Sequence, residues 1–221
     1  MELLEQLSHC IEFGKINQAS PYPPDMKGQE GADELARKAL DQGIGANEIL
    51  QQGLVPGMEK VGVKFRENKV FVPQVLMSAK AMNAAMVHLK PFFQSGEVKR
   101  KGKFVIGTVA GDLHDIGKNL VSMMIEGSGW EVIDLGVDVS TDKLMETIKS
   151  NPGCVVGLSA LLTTTMNNMA DTVRKIKAEL PNQVILVGGA PLTDDFRKEI
   201  GADYYSPDPQ GAVEYLNSIV A

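Results

Sequence analysis

The hydrophobic pattern of this chain changes period once, near residue 95, and that break requires two different packing solutions in one polypeptide. Before it, apolar residues recur about every 3.6 positions, as on one face of a helix. Leu3, Leu4, Leu7 and Ile11 form one such stripe, and Leu35, Ala36, Ala39 and Leu40 a second. Ile49, Leu50, Met58, Val61 and Phe65 form a third. Val72, Val75, Leu76, Ala79, Met82, Met86 and Leu89 form the clearest, with Pro73 suited to a first helical turn. Four amphipathic segments must bury their stripes against one another, so residues 1–94 are expected to form a small helical bundle. Between the first two stripes, Pro21, Pro23 and Pro24 impose a loop over about 15–31, long for a bundle connection. Residues 95–103 are polar, basic and glycine-flanked, and read as a linker.

From 104 to 221 short apolar runs alternate with helix-length segments. The strand-like runs are Lys103–Val109, Glu131–Leu135, Cys154–Leu158, Gln183–Val187 and, more weakly, Asp203–Tyr205. The helical segments lie near 117–128, 141–150, 165–180, 192–199 and 209–220. Such alternation predicts an α/β domain, a doubly wound five-stranded parallel sheet with helices on both faces. Ligands of such sheets sit beyond the carboxyl ends of the strands, where strand order reverses. The loops after Val109, Leu158 and Val187 are therefore the places to look for chemistry.

Composition excludes several roles. Lys and Arg number 22 against 28 Asp and Glu, a net charge of −6, which disfavours broad binding to nucleic acid or anionic membrane. No run of about 18 apolar residues exists to span a bilayer. The start, Met1-Glu2-Leu3-Leu4-Glu5, is acidic and unlike a signal peptide. Cys10 and Cys154 are far apart and fit neither a disulfide framework nor a zinc pattern. They are expected as buried thiols of a cytoplasmic protein. Of three histidines, His9, His88 and His114, only the last falls at a strand's carboxyl end.

The first loop reads Gly111-Asp112-Leu113-His114-Asp115-Ile116-Gly117. An imidazole that binds a metal through one nitrogen needs an acceptor for its other N–H, and Asp112 is spaced to be that acceptor. Gly117 permits close approach of something large, or a tight entry into the next helix. Neither a dinucleotide fingerprint nor a P-loop occurs in the chain. The second loop carries Ser159, Leu161, Thr163, Thr164 and Thr165. Thr164 or Thr165 fits a helix cap, whereas Ser159 comes too early for one. In the third, Gly188-Gly189 reads either as a turn or as a slot for a flat group.

Taken together, Asp112-x-His114-x-x-Gly117, Ser159-x-Leu161 and Gly188-Gly189, at the ends of the first, third and fourth strands, resemble the cobalamin-binding domain. That family includes methionine synthase, the carbon-skeleton mutases and the corrinoid proteins of methyltransferase systems. The resemblance implies a Rossmann/flavodoxin-like domain that binds cobalamin base-off. His114 would be the lower cobalt ligand and Asp112 the holder of its other N–H. Thr165 stands where methionine synthase has a serine completing that relay. Gly111, Leu113, Asp115, Ile116 and Gly117 would contact the cofactor. Ser159, Leu161 and Thr163 would line its tail or the corrin edge, and Gly188 and Gly189 would flank the nucleotide.

The segments around Pro56-Gly57-Met58-Glu59-Lys60 and Val70-Phe71-Val72-Pro73 resemble the helical cap of methionine synthase and stand-alone corrinoid proteins. That cap shields the upper corrin face; Phe71, Val75 and Met77 are the candidate covering residues, with bundle core as the alternative for Val75. The mutases lack this bundle.

The resemblance implies a methyl carrier, a non-catalytic subunit shuttling between cobalt(I) and methylcobalt(III). A substrate-specific methyltransferase would load it, and a second would unload it to tetrahydrofolate or a thiol such as coenzyme M. A reductive activator would rescue oxidised cobalt. The Pro-rich stretch departs from the family's usual short connection, either as a longer loop or as a docking element. A cobalamin-dependent sensor is the rival, but only about 30 residues precede the bundle proper, and few of them are basic. A flavodoxin-like electron carrier would need a phosphate loop rich in Ser and Thr after the first strand, which Ala110-Gly-Asp-Leu-His114 is not.

Overall fold

The first apolar stripe folds as helix α1 (Leu3–Phe13), which ends where Gly14 turns left-handed at φ 71°. The structure is a computed structural model that describes residues 2–220. Helix α2 (Ala32–Asp41) carries the second stripe and α5 (Val72–Gln94) the fourth. The third stripe, read as one amphipathic segment, is helical but not regular throughout. Helix α3 (Ala46–Glu48) runs through a π-type turn at Ile49–Leu54 into α4 (Val55–Arg66). The cause is Pro56, which has no N–H to offer the carbonyl four residues earlier, so the helix widens there. Helices α1, α2, α4 and α5 pack together over Leu7, Ile11, Leu35, Leu54, Val61 and Leu89, all at most 3% exposed. Helices α1 and α4 meet closely at Gly57, where a Cβ would lie 2.6 Å from Ile11 Cβ and 2.7 Å from the Ser8 carbonyl oxygen.

The Pro-rich stretch is an ordered loop folded onto the start of α2. The Ala32 and Asp33 N–H groups donate to the carbonyls of Lys15 (3.0 Å) and Ile16 (2.9 Å). One carboxylate, that of Glu34, accepts from the Gln18 N–H at 3.0 Å and the Gly31 N–H at 2.8 Å. Within the loop lie a short 3₁₀ turn (Pro24–Met26) and a cis Tyr22–Pro23 bond. Lys15 is fully buried, and its ammonium donates to the Ser20 carbonyl at 2.9 Å. Helices α2 and α5 are also joined by His88 Nε2 and Asp33 Oδ1, 2.6 Å apart.

The chain divides into two compact units: residues up to Arg100, with Gly127–Gly129, and Lys101–Glu126 with the residues from Trp130 onward. The boundary thus falls inside the segment expected as a linker. Part of that segment is folded. The Val98 N–H donates to the Phe92 carbonyl at 3.1 Å, Val98 is 3% exposed, and Arg100 stacks over the Phe93 ring at 4.1 Å.

The second unit is the expected parallel sheet. Strands β1 (Lys103–Thr108), β2 (Glu131–Asp134), β3 (Val155–Ser159), β4 (Ile185–Gly188) and β5 (Tyr204–Tyr205) stand in the order β2-β1-β3-β4-β5. Helices α6 (Ile116–Gly127), α7 (Thr141–Ser150), α8 (Thr163–Glu179), α9 (Asp194–Ile200) and α10 (Pro209–Ser218) connect or follow them. Strand β1 ends at Thr108 rather than Val109. Val109 still donates to the Ser159 carbonyl at 3.0 Å and makes an isolated parallel bridge with Val139. The switch in strand order falls between β1 and β3, where Thr108 stands opposite Ser159. Cys10 and Cys154 are free and buried, and burial pushes the Cys10 thiol up to about 11. Among the described residues no helix is long and apolar enough to cross a membrane.

Because the α1–α4 contact leaves no room at Gly57, Gly57→Ala is expected to lower the unfolding stability of the helical unit by about 1–3 kcal/mol, the usual cost of overpacking. Thermal unfolding followed by helical circular dichroism checks this; an unchanged midpoint would refute the close approach.

Candidate functional site

The site is built where parallel topology brings two loops together, at the carboxyl ends of β1 and β3. Its centre is Asp112, which has no exposed surface. Its Oδ1 accepts from the His114 N–H at 3.0 Å and faces His114 Nδ1 at 2.8 Å. Its Oδ2 accepts from the Leu161 N–H at 2.8 Å, the Leu162 N–H at 3.3 Å and the Thr165 hydroxyl at 2.8 Å. One carboxylate thus joins the loop after β1 to the entry of α8. Burial alone would push its pKa up. The hydrogen bonds from Leu161, from the His114 backbone and ring, and from Thr165 outweigh burial and hold it well below the usual carboxylate range. The N-terminus of α8, 17 residues long, adds a favourable dipole.

With Nδ1 turned to an ionised acceptor, His114 presents Nε2 outward on a side chain half exposed. Apolar surface surrounds it: Leu113 is 72% exposed, Ile116 68%, and Leu161 and Leu162 41% each. Four exposed aliphatic side chains about one imidazole make a platform for a broad apolar ligand. Gly117, the second residue of α6, has nothing within 4 Å of where a Cβ would stand. Helix α6 is tied down by Lys118, 3% exposed, which pairs with Asp134 and donates to Asn119 Oδ1 at 2.7 Å.

The other expected residues fall around this centre with differing contributions. Thr165 is not the cap of α8. Leu162 holds the cap position, and the Thr165 hydroxyl faces two acceptors, Asp112 Oδ2 and the Leu162 carbonyl, each at 2.8 Å. The tertiary acceptor has displaced the local capping role. Ser159 is the last residue of β3 and is half-buried, while Thr163 and Thr164 are exposed at the start of α8. Asp115 is exposed and accepts from Asn119 Nδ2 at 3.1 Å. Gly188 is open, with only the Ser206 carbonyl within reach of a Cβ, at 3.7 Å. Gly189 is obligatory: its φ is +142°, and a Cβ would strike the Ala160 carbonyl oxygen at 1.8 Å. In the helical unit Phe71 is 60% exposed. Val75 is fully buried, which places it as packing rather than as open surface. Met77 is half-buried, its Cβ close to where a Cβ on Gly14 would stand.

Three anchors escaped the sequence reading. The Thr108 hydroxyl, fully buried, donates to the His114 carbonyl at 2.9 Å. Asn168 Nδ2 donates to the Ala110 carbonyl at 2.8 Å. Asp138 accepts from the Gly111 N–H at 2.7 Å. A hydroxyl closing an otherwise apolar strand, and an amide three residues after Thr165, were available signals for the first two.

Among the described residues no group of three or more His, Cys, Asp or Glu side chains is placed to hold a metal ion. A lone outward imidazole suits a metal that brings its own equatorial ligands in a large, mostly apolar ring. The fold and this centre therefore define a doubly wound α/β domain with an exposed, carboxylate-oriented histidine at its strand ends. The comparisons narrow the class. Residues 102–213 and 28–90 match two families, both described as B12 binding domain. A corrinoid protein of Desulfitobacterium hafniense (strain Y51) is 38% identical over 225 residues, covering 100% of this chain and 98% of that protein. The trimethylamine corrinoid protein of Methanosarcina barkeri is 40% identical over 188 residues, 83% of this chain and 87% of the other. The crystal structure of a methanol:cobalamin methyltransferase complex from the same organism aligns with TM-score 0.82 at 26% identity, over 99% of this chain and 79% of that one. The chain belongs to the B12-binding corrinoid proteins, and its cofactor is a corrinoid of the cobalamin type.

The folded Asp112 carboxyl is more acidic than in an unfolded chain, where it titrates near about pH 4. Its contribution to stability is complete above about pH 5 and is lost progressively as pH falls below that. Urea unfolding of the cofactor-free protein, followed by the fluorescence of its one tryptophan, Trp130, should therefore show a midpoint that drops in acid. Asp112→Asn should lower the midpoint at neutral pH and flatten the acid dependence; an equally steep dependence in the variant would show that other carboxylates carry it.

Proposed function

We propose that this protein carries a methyl group on its corrinoid from a substrate-specific methyltransferase to a second methyltransferase, whose acceptor is tetrahydrofolate or a thiol of the coenzyme M type. The observation that carries the proposal is the Asp112–His114 pair, with Nδ1 held at 2.8 Å, which would leave Nε2 to hold the metal. The names of its relatives, trimethylamine corrinoid protein and methanol:cobalamin methyltransferase complex, support the methyl-carrying role. When bound, the corrinoid supplies a cobalt centre able to take up and give away a methyl group.

What the chain's own residues contribute follows from their contacts. His114 Nε2 would be the protein nitrogen that holds the cobalt, in place of the cofactor's own base. Asp112 fixes the tautomer and ring plane of His114 through Nδ1 and strengthens it as a donor. Five hydrogen bonds favour the ionised form of Asp112, so the carboxylate would remain the acceptor that orients His114. Thr165 completes the relay and, at 4% exposure, closes its inner end. Leu113, Ile116, Leu161 and Leu162 would seat the ring, Gly117 would admit it close to α6, and Ser159, Thr163, Gly188 and Gly189 would border its nucleotide tail. Phe71, Val75 and Met77 are the candidates for covering the upper face, and Phe71 is the most exposed of them. A reductive activator completes the system.

Reconstitution with hydroxocobalamin tests the reading. Wild-type protein is expected to bind one corrinoid with the spectrum of an imidazole-ligated, base-off form, and His114→Ala to bind with an altered, non-imidazole spectrum. Methylation by a partner methyltransferase and transfer to an acceptor would then identify the substrates. Folded wild type that binds no corrinoid would sink the proposal.

A further inference from the structure

The loop that bears His114 is gripped from the side by a residue outside every motif so far considered. Asp138 follows β2, where the chain runs on beside β1. The Thr108 N–H donates to the Gly136 carbonyl at 3.0 Å and the Val139 N–H to the Thr108 carbonyl at 2.9 Å. Val139 is 5% exposed, so this rail is anchored in the core. Between those two bonds Asp138 adopts a left-handed backbone, φ 53°, and makes two contacts with successive residues of the His114 loop. Its Oδ1 accepts from the Gly111 N–H at 2.7 Å, and its own N–H donates to the Asp112 carbonyl at 3.0 Å.

We infer that Asp138 is a positioning residue for His114, acting through the backbone of Gly111 and Asp112; the inference rests on the reading of His114 as the cobalt ligand. The two contacts hold the peptide groups that flank this pair of residues, through the Gly111 N–H and the Asp112 carbonyl. Displacing the pair would move the Asp112 carboxylate away from the Leu161, Leu162 and Thr165 donors. The imidazole would follow, because the backbone N–H and the ring of His114 both address the same Asp112 oxygen. The side chain of Asp138 is solvent-exposed and contributes nothing to the core. Glycine would adopt the left-handed conformation at no steric cost, and does so at Gly136, φ 84°. At Asp138 a carboxylate is present in spite of that conformation, which points to its hydrogen bond as the reason. By contrast, Thr108 and Asn168 each hold the loop through a single bond and from ordinary backbone.

Asp138→Gly separates the bond from the backbone, since it keeps the turn and its N–H donor while removing the acceptor. Asp138→Asn keeps an acceptor and tolerates the left-handed region. Both are compared, as full chains reconstituted with cobalamin and reduced to cobalt(II), with wild type and His114→Ala. Histidine carrying the heavy nitrogen isotope distinguishes protein from cofactor nitrogen by the splitting in the electron paramagnetic resonance spectrum. Wild type is expected to show protein nitrogen throughout, and Asp138→Gly a mixture of histidine-ligated and unligated cobalt. Affinity in Asp138→Gly should fall on the order of 10-fold, as for other residues that orient a metal's ligand. Thermal unfolding of the cofactor-free protein should be little altered, and Asp138→Asn should restore both readouts. A fully ligated, tight-binding Asp138→Gly would overturn the inference. So would an Asp138→Gly protein that does not fold, since the residue would then serve the fold rather than the ligand. Wild type without protein nitrogen on cobalt would instead overturn the reading of His114, and His114→Ala supplies that reference spectrum.

Discussion

One buried carboxylate organises this molecule's site. Asp112 is wholly enclosed, and its two oxygens are met by backbone N–H groups, a hydroxyl and the His114 ring. Removing an anion from water is costly unless every lone pair finds a donor. The donors come from two stretches far apart in sequence, the loop of Asp112 itself and the segment from Leu161 to Thr165. The chain cannot satisfy Asp112 without bringing those stretches together, and bringing them together defines the orientation of His114. The requirement for an ionised second member of the relay and the requirement for a closed loop are thus met by the same bonds.

The sheet makes that convergence possible. Strand order β2-β1-β3-β4-β5 sends the connections after β1 and β3 away from one another at the switch point, opening the crevice that Asp112 spans. Parallel register sets Thr108 beside Ser159, so the two loops begin at the same level. At β4 the chain comes so near Ala160 that Gly189 has no alternative. The apolar side chains left in the open on these loops are then the surface on which the proposal seats the cofactor.

Much of this was legible in the residues. Periodicity marked the helical and α/β halves because a stripe and an alternation cannot be confused over such lengths. The Asp112–His114 pairing was legible because it is local, two residues apart at a strand end. Thr165 was open between cap and relay, since a hydroxyl near a helix start serves either purpose until the tertiary acceptor is located. Val75 had two readings in the sequence, cap surface and bundle core, and the structure adds that it is fully buried. The π-type turn before Pro56 was missed because apolar spacing continues across it, and the hydrogen-bond defect leaves no mark on hydrophobicity. Asp138 was missed because its partners are backbone groups, which carry no sequence signature. The folded first half of 95–103 was missed because a lysine- and glycine-rich composition hides one buried valine.

The loop between α1 and α2 has a consequence for how the chain tolerates change in length. Surface loops ordinarily accept insertions and deletions at little cost, because closing a slightly longer or shorter loop alters entropy only modestly. Here the Ser20 carbonyl is the partner of an ammonium, Lys15, that has no exposed surface. Shortening the loop past Ser20 would strand a buried charge, and lengthening it before Ser20 would move the carbonyl away from it. The connection is therefore of fixed length between Lys15 and Ser20, while the exposed residues beyond, around Gly28, remain the place where the chain can grow.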